Sequence, residues 1–398
     1  WIKKMVKNKD SVIILQILCV FLIPLTPHLT ITDNLQFDDI PVALFLLLFA
    51  LNLYNKKIIF FKIKEFLPLS MFIFYITFQN YLINGKLIFS DNIRFTFYLV
   101  LMITILSVKN LDFLKSFYFY LTVFLSIFSI SFYIFKIELG IDSYDYWSIG
   151  FNQNDWLFTP GRMNGFQAGG PNAFGGLIAC LTIYTASSLE NIKKYFIIFI
   201  GILGCFFTYS RASILVLILS LLFVLIFKKD FIGLFVSAIA LLITLNFGLV
   251  DRFTSENETD GIQDRIEMQN ASVSDILNKS ISDNLIGYGQ GNFGIVRDEL
   301  SSIDEFSNDV RPTGPHNSFL FLILNYGFIG LFLFLNIFIK PLKIFFTKFS
   351  NNLINPNYLF LGSFVALSFT GDFIQNHSIS VLFFLLLFES LREEENAK

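Results

Sequence analysis

Arginine and histidine side chains at the ends of apolar segments are the residues of this chain best suited to chemistry. Arg211 follows Thr208-Tyr209-Ser210 in a short break between two apolar stretches. His316 ends a long polar stretch in Gly314-Pro315-His316-Asn317-Ser318, directly before another apolar segment. A guanidinium fork matches a pair of phosphate oxygens, and a neutral imidazole can accept a proton near neutral pH. Together these residue types predict a site for a phosphate-bearing substrate.

The elements that must hold these residues follow from composition. Of 398 residues, 54% are hydrophobic, 18% aromatic and only 15% charged. That balance is too apolar for a soluble protein of this length. Because lipid offers no partners to backbone groups, long apolar segments in a membrane must be helices. The sequence therefore predicts an all-α polytopic membrane protein, with residues 1–398 forming a single membrane domain.

Segments of roughly 20 mostly apolar residues are long enough to cross a bilayer, and the chain has about twelve candidates. The basic N-terminus before the first segment is typical of a secretory signal, but no small-residue cleavage site follows, so we expect this segment to be retained. The predicted spans are 11–30, 40–55, 66–82, 93–108, 112–136, 170–188, 195–209, 212–227, 231–249, 317–339, 356–371 and 375–390.

Lysine and arginine are distributed unequally between the two sides that alternating spans define. Eighteen of the 21 lysines, with Arg392, fall on one side, which the positive-inside rule makes cytoplasmic. Both termini then lie in the cytoplasm. Seven of the eight arginines fall on the other side, which topology alone does not explain, and we attribute this to phosphate recognition. These arginines are Arg94, Arg162, Arg211, Arg252, Arg265, Arg297 and Arg311.

Two polar segments interrupt the apolar pattern on the arginine-rich side, at 138–169 and at 250–316. Polar segments as long as the second are usually functional. Ile262, Ile266, Val273, Ile276 and Leu277 follow a helical stripe, as do Val296, Leu300 and Ile303. We expect short helices that lie over the membrane domain as a lid.

Arg162, Arg211 and Arg265 could also have purely structural roles. Arg211 can snorkel and cap a turn, Arg162 can be an ordinary loop cation, and Arg265 can pair with Asp264 or Glu267. We expect Arg162, Arg211 and Arg265, with Arg252 as a weaker candidate, to bind substrate. We expect the other outer arginines, Arg94, Arg297 and Arg311, to be surface residues.

Histidine, asparagine and cysteine complete the candidate residues. His316 is expected at a helix start, where it can act as a base or be structural, whereas His28 and His377 are expected to be structural. Asn172 and Asn317 can orient substrate or cap their helices. The three cysteines, Cys19, Cys180 and Cys205, lie singly in apolar stretches and are expected to be small buried hydrophobes.

The run Gly289-Gln290-Gly291-Asn292-Phe293-Gly294 fits the G-x-G-x-x-G dinucleotide pattern. No strand is predicted before it, and it falls on the side of the membrane away from nucleotides. We expect a turn between lid helices in which glycines supply positive φ angles.

The order of several short motifs resembles the O-antigen ligase and Wzy polymerase superfamily. None is specific alone, but together they cover about 160–335 in the order and spacing of that superfamily. They are Arg162-x-x-Gly165 with Pro171-Asn172, Tyr209-Ser210-Arg211, Arg265, Gly287-Tyr288-Gly289 with Asn292-Phe293, His316-Asn317-Ser318-x-Leu320, and Tyr326-Gly327-x-x-Gly330.

The resemblance implies a GT-C-type membrane glycosyltransferase that acts on an undecaprenyl-diphosphate-linked glycan at the periplasmic face of the bacterial inner membrane. It also implies that Arg162, Arg211 and Arg265 bind the diphosphate and that His316 is catalytic at the acceptor hydroxyl, by inversion and without metal or other cofactor. A diphosphate is a good leaving group that needs charge stabilisation more than a general acid. The expected partners are lipid-linked donor and acceptor glycans, membrane lipid and a chain-length regulator, and no nucleic acid.

Three alternatives stay open beside a polymerase that lengthens lipid-linked repeat units. A ligase would transfer the glycan to lipid A core or to protein with the same donor chemistry. A flippase or transporter would show paired halves and ionisable residues near the bilayer midplane. A metal-dependent enzyme would need an acidic pair, for which Asp142 and Asp145 are the nearest candidates, although their loop is more typical of solvated surface.

Overall fold

The computed structural model contains a helix at each of the twelve predicted apolar segments. It describes residues 11–27, 30–32, 35–37, 39–55, 63–85, 90–108, 111–141, 148–152, 161–166, 170–247, 256–289, 315–347 and 354–396. The apolar helices are α1 (Ser11–Leu22), α2 (Asp39–Tyr54), α3 (Ile63–Asn84), α4 (Ser90–Ser107), α5 (Phe113–Phe135), α6 (Gly170–Ser188), α7 (Ile192–Phe206), α8 (Arg211–Phe227), α9 (Phe231–Leu245), α12 (Ser318–Thr347), α13 (Pro356–Ser368) and α14 (His377–Asn396).

Helix length and apolarity identify a membrane protein. Within the described residues, three helical segments are long and apolar enough to cross a bilayer: Lys64–Asn84, Phe113–Phe135 and Ser318–Thr347. Shorter apolar segments are Val12–Leu25, Asp39–Tyr54, Arg211–Phe227 and Phe231–Leu245. The prediction that the apolar segments form helices is confirmed. The prediction that all twelve cross the membrane stays a prediction.

Segment 138–169 departs from the all-α expectation, since it contains three short antiparallel strands. The strands are β3 (Glu138–Ile141), β4 (Ser148–Asn152) and β5 (Arg162–Asn164), in the order β3-β4-β5. A smaller two-stranded sheet pairs β1 (Thr30–Thr32) with β2 (Leu35–Gln36). Strands of this length are too short to show a periodic pattern, so they could not be predicted from the sequence.

Most side chains of the adjacent helices α6 and α7 are buried. Close approach of their backbones to neighbouring helices explains several glycines, because small residues at helix interfaces let helices pack tightly. A side chain at Gly201 would overlap Thr182, and one at Gly204 would meet the backbone of Ser126. The three cysteines are free and buried, as predicted. This packing fixes where the α7–α8 turn, and so Arg211, can lie.

The described part of segment 250–316 contains two helices, α10 (Glu256–Asn278) and α11 (Ile281–Ile286). Helix α10 confirms the first predicted stripe, whereas α11 was not predicted. Helix α10 is longer than expected, at 23 residues. The Ser280 hydroxyl caps α11 by accepting a hydrogen bond from the Asp283 amide at 3.2 Å. The second predicted stripe, Val296, Leu300 and Ile303, lies outside the described residues.

Helix α12 is kinked at Gly327, whose φ of 66° is open to glycine but strained for other residues. The kink leaves carbonyl groups without helical partners, and the turn that follows α11 supplies new ones. The Tyr288 amide donates to the Leu324 carbonyl at 2.8 Å, and the Gly289 amide donates to the Asn325 carbonyl at 2.9 Å. The expected positive φ is present at Gly289, at 80°. The glycine-containing turn therefore fastens the loop helices to the kink.

Candidate active site

The turn between α7 and α8 presents Arg211 as the first residue of α8. Tyr209 has a positive φ of 49°, which reverses the chain after α7. The Thr208 hydroxyl donates to the Cys205 carbonyl at 2.7 Å, and the Ser210 and Ser213 hydroxyls bond each other at 2.8 Å. Because these contacts close the turn from inside, the Arg211 side chain is left on its partly exposed side.

Arg162 fastens the same turn from β5. Its side chain is almost fully buried, with 1% exposed. The Nε atom donates to the Thr208 carbonyl at 3.0 Å, and Nη2 donates to the Asn172 Oδ1 atom at 3.0 Å. Asn172 lies in the first turn of α6. Arg162 therefore links the start of α6 to the turn that carries Arg211.

His316 lies immediately before α12 in a left-handed backbone conformation, with φ 48°. This conformation is uncommon outside glycine, and such strain is often stored at functional sites. Asn317 caps α12, since its Oδ1 atom accepts from the amides of Phe319 at 3.0 Å and Leu320 at 3.2 Å. The Gln269 side chain on α10 reaches the His316 carbonyl at 3.5 Å. Loop helix and helix cap together position the imidazole.

Asp372 is a site residue that the sequence reasoning missed. It lies between α13 and α14, and its Oδ2 atom is 3.6 Å from the His316 Nδ1 atom. The Ser318 hydroxyl holds this loop by donating to the Gly371 carbonyl at 2.9 Å and by accepting from the Ile374 amide at 3.1 Å. The only sequence clue was a carboxylate in the short polar break between two apolar segments.

The charges of the site act on one another. Burial lowers the pKa of Arg265, the nearby Arg211 charge lowers it further, and Asp372 opposes both. Burial, then the Arg265 charge, lower the pKa of His316 to about 4. Burial raises the pKa of Asp372 to about 6, and Arg265 opposes that rise. Near neutral pH the site holds two guanidinium cations, one carboxylate and a neutral imidazole, and so attracts an anion.

The prediction that Arg94 is a surface residue was wrong, because its side chain is only 18% exposed and is paired with Asp91. Arg94 also donates to the Gln375 carbonyl at 2.7 Å, and the Tyr326 hydroxyl bonds the Asp91 carboxylate. Its surroundings keep most of the Arg94 side chain from water, and Asp91 supplies the opposite charge. Arg94 therefore ties the loop of Asp372 to the first turn of α4.

Other predicted residues lie elsewhere. His377 contacts the Tyr98 hydroxyl at 3.3 Å through its Nδ1 atom. The remaining candidates lie outside the described residues: His28, Asp142, Asp145, Arg252, Arg297 and Arg311.

A comparison with known proteins finds one family model that matches part of this chain. Residues 196–335 match the family model Wzy_C, described as O-antigen ligase. The matched region contains Arg211, Arg252, Arg265, His316 and Asn317, and leaves Arg162, Asn172 and Asp372 outside it. No curated protein matches the chain. Residues 196–335 of this chain are thus similar to the O-antigen ligase family, whose members are enzymes that transfer lipid-linked glycans.

Proposed function

We propose that this protein is a polymerase of undecaprenyl-diphosphate-linked oligosaccharide repeat units. It transfers a growing glycan from its lipid diphosphate to a sugar hydroxyl of another lipid-linked unit. The observation that carries this proposal is the grouping of Arg211, Arg265, His316 and Asp372, which come from four separate parts of the chain. A cationic pair beside a base is what transfer from a diphosphate requires.

The donor diphosphate binds Arg211 and Arg265. Two guanidinium groups whose charges repel each other are stabilised by a polyanion between them, and the negative charge that develops on the leaving group strengthens the interaction in the transition state. Arg162 and Asn172, which the sequence predicts as direct ligands, act in this proposal by holding the turn of Arg211. Asn317 acts by fixing the start of α12 beside His316.

The acceptor hydroxyl is activated by His316. As its oxygen bonds the anomeric carbon, the bond from that carbon to the diphosphate oxygen breaks, and the hydroxyl proton passes to the Nε2 atom of His316. The electron pair of the broken bond leaves with the diphosphate, and in-line attack inverts the anomeric centre. Asp372 faces the Nδ1 atom, favours the tautomer with the proton there, and stabilises the imidazolium that forms. General-base help of this kind contributes roughly 10² to 10⁴-fold in rate.

We place the reaction at the periplasmic side of the inner membrane, with both termini cytoplasmic. The lysine distribution supports this orientation. Helices α10 and α11 form a lid over the site. Arg252 precedes α10 in the sequence and stays a sequence-based candidate for substrate binding. Exclusion of water by the lid prevents hydrolysis from competing with transfer.

The ligase remains the second candidate, because it uses the same donor and differs only in the acceptor. The Wzy_C match supports either. We favour the polymerase on a base-rate argument, since polymerases are more numerous and vary widely in sequence. A transporter is disfavoured because the described ionisable groups of the site gather at one end of the helices and no internal symmetry is evident in the sequence.

Purified protein incubated with one synthetic lipid-diphosphate oligosaccharide tests the proposal. A ladder of lengthened lipid-linked products identifies a polymerase. Reaction only after addition of lipid A core or a protein acceptor identifies a ligase. Absence of transfer under all three conditions, with protein that is folded, refutes the enzymatic proposal.

Variants then test the roles. We expect His316→Ala and Arg211→Ala to abolish transfer while expression stays normal. Arg265→Lys keeps the charge but loses the fork, so we expect weaker donor binding. Lys229→Ala, an exposed change at the other end of α8, is the control and is expected to be neutral. Full activity in both His316→Ala and Arg211→Ala refutes the site.

A further inference from the structure

Helix α10 carries an apolar stripe that the described protein does not bury. Ile266, Val273 and Leu277 are all exposed, and Leu277 is 77% exposed. The spacing of seven and then four residues puts the three side chains on one side of an α-helix, which has about 3.6 residues per turn.

Of the other two sides of α10, one is buried against the protein and one is polar and exposed. Met268 and Ser272 are buried against the protein, on the same broad side as Arg265, whose charge acts on His316. Ser274 and Asn278 form an exposed polar side. The helix thus has a side toward the protein, an apolar exposed side and a polar exposed side. A helix lying along a membrane surface needs these three surroundings: protein, lipid and water.

Helix α11 continues the apolar stripe. Ile281 is 81% exposed, and Leu285 and Ile286 are also exposed. The Ile286 carbonyl accepts hydrogen bonds from Gln79 and, at 3.2 Å, from the Tyr75 hydroxyl, both on α3. The end of the stripe is therefore fixed to a helix that is long and apolar enough to cross a bilayer.

The side of α3 next to this attachment is itself apolar and exposed. Phe74, Phe78 and Leu82 lie on it, and an apolar cleft of about 350 Å³ opens between α3 and α12, lined in part by Phe74, Tyr75 and Leu333. In a membrane-crossing helix such a side faces lipid. The apolar stripe of α10 and α11 leads directly into this lipid-facing surface.

We propose that the apolar stripe of α10 and α11 docks on the bilayer surface, among the headgroups and upper acyl chains of the leaflet next to the site. The stripe comprises Ile266, Val273, Leu277, Ile281, Leu285 and Ile286. Continuity with α3 favours lipid over a second copy of the chain, since protein bound there would have to cover the membrane-facing side of α3 as well. Docking holds Arg265, on the neighbouring side of α10, close to the level of lipid phosphates.

Site-directed spin labelling of the full chain in phosphatidylethanolamine–phosphatidylglycerol vesicles tests the proposal without using any enzymatic activity. Leu277→Cys and Ile281→Cys place a nitroxide on the stripe, while Ser274→Cys and Asn278→Cys place it on the polar side as matched controls. The native cysteines are buried, which limits background labelling. Collision of each nitroxide with oxygen, which enters lipid, is compared with collision with a water-soluble nickel chelate.

We expect oxygen to dominate at positions 277 and 281 and the nickel chelate to dominate at 274 and 278. Equal nickel accessibility at all four positions would show a lid surrounded by water and would overturn the proposal. Shielding of 277 and 281 from both reagents would show that protein covers the stripe, and would overturn it equally. Because no substrate is involved, neither result depends on which glycan reaction the enzyme performs.

Discussion

The His316 Nδ1 atom lies 3.6 Å from the Asp372 Oδ2 atom, although two apolar helices, α12 and α13, separate the residues along the chain. This distance is longer than a normal hydrogen bond, and catalytic contacts of this kind often shorten when substrate binds. The carboxylate faces one ring nitrogen and leaves the other for substrate.

Replacement of Asp372 by asparagine should slow transfer while the protein stays folded. The variant keeps the size of the side chain but removes the charge that stabilises the imidazolium, so we expect kcat to lose much of the roughly 10² to 10⁴-fold that general-base help contributes. Rates of lipid-linked product formation measure this. Glu190→Gln, at an exposed position in the α6–α7 connection, is the charge-matched control. An Asp372→Asn enzyme as fast as wild type would exclude the assigned role.

The pH dependence of transfer should have its acidic limb near the pKa of Asp372, which is about 6. As pH falls through that value, the carboxylate becomes protonated and the rate falls, whereas His316, with a pKa of about 4, is still neutral. This limb belongs to kcat/KM, which reports the free enzyme. It should disappear in Asp372→Asn.

A bound diphosphate should move the acidic limb of the pH profile of kcat to higher pH than that of kcat/KM. Arg265 lowers the pKa of both His316 and Asp372, and the negative charge of the diphosphate offsets that cation. Both pKa values should therefore rise in the enzyme–substrate complex. Measurement of kcat and kcat/KM over pH 4.5–8.5 compares the two limbs, and a kcat limb at the same or lower pH would contradict diphosphate binding beside Arg265.

Alanine at Gly327 should detach α11 from the membrane helices. The combination of φ 66° and ψ −177° at Gly327 is essentially limited to glycine and costs another residue roughly 1–3 kcal/mol. A Cβ atom there would also overlap the Leu285 carbonyl. We expect faster hydrogen exchange across 281–289 and reduced transfer. Gly362→Ala in α13 meets no atom within 4 Å and should be neutral or stabilise by roughly 0.5–1 kcal/mol. Unchanged exchange in the Gly327 variant would show that the kink does not hold α11.

Removal of the Arg94 charge should destabilise the protein, because it leaves the Asp91 carboxylate buried and unpaired. Breaking a buried pair costs about 3–5 kcal/mol, so Arg94→Gln should lower the Tm in detergent markedly. The double variant Asp91→Asn/Arg94→Gln keeps polar groups but no charge and should recover most of the loss. Equal Tm values for the single and double variants would mean that the Asp91–Arg94 ion pair does not account for the loss of stability.

Much of this architecture could be predicted from local properties of the chain. Apolar segments such as 112–136 and 170–188 became helices α5 and α6 with nearly the predicted bounds. The helix stripe through Ile266, Val273 and Leu277 correctly predicted a helix, and the conformational freedom of Gly289 correctly predicted positive φ. In each case the cause is periodicity or backbone sterics within a few residues.

Long-range relationships could not be predicted. Nothing near Asp372 in the sequence links it to His316. The burial of Arg94 beside Asp91 is set by helix packing, so no local pattern distinguishes it from a surface cation. Substrate binding by Arg162 stays a prediction, and no local pattern indicated that its guanidinium bonds Thr208 and Asn172. A side chain has the same local sequence whether its partner is a phosphate or a carbonyl.

The sequence by itself determined that this protein is built from apolar helices and that arginines and His316 stand at their ends, since hydrophobic patterning and residue chemistry act locally. Only the tertiary structure decided that Arg211, Arg265, His316 and Asp372 share one site while Arg162 and Arg94 hold its parts together. The reason is that helix packing brings residues together that are distant in sequence. Their burial and mutual charges then set the pKa of each group.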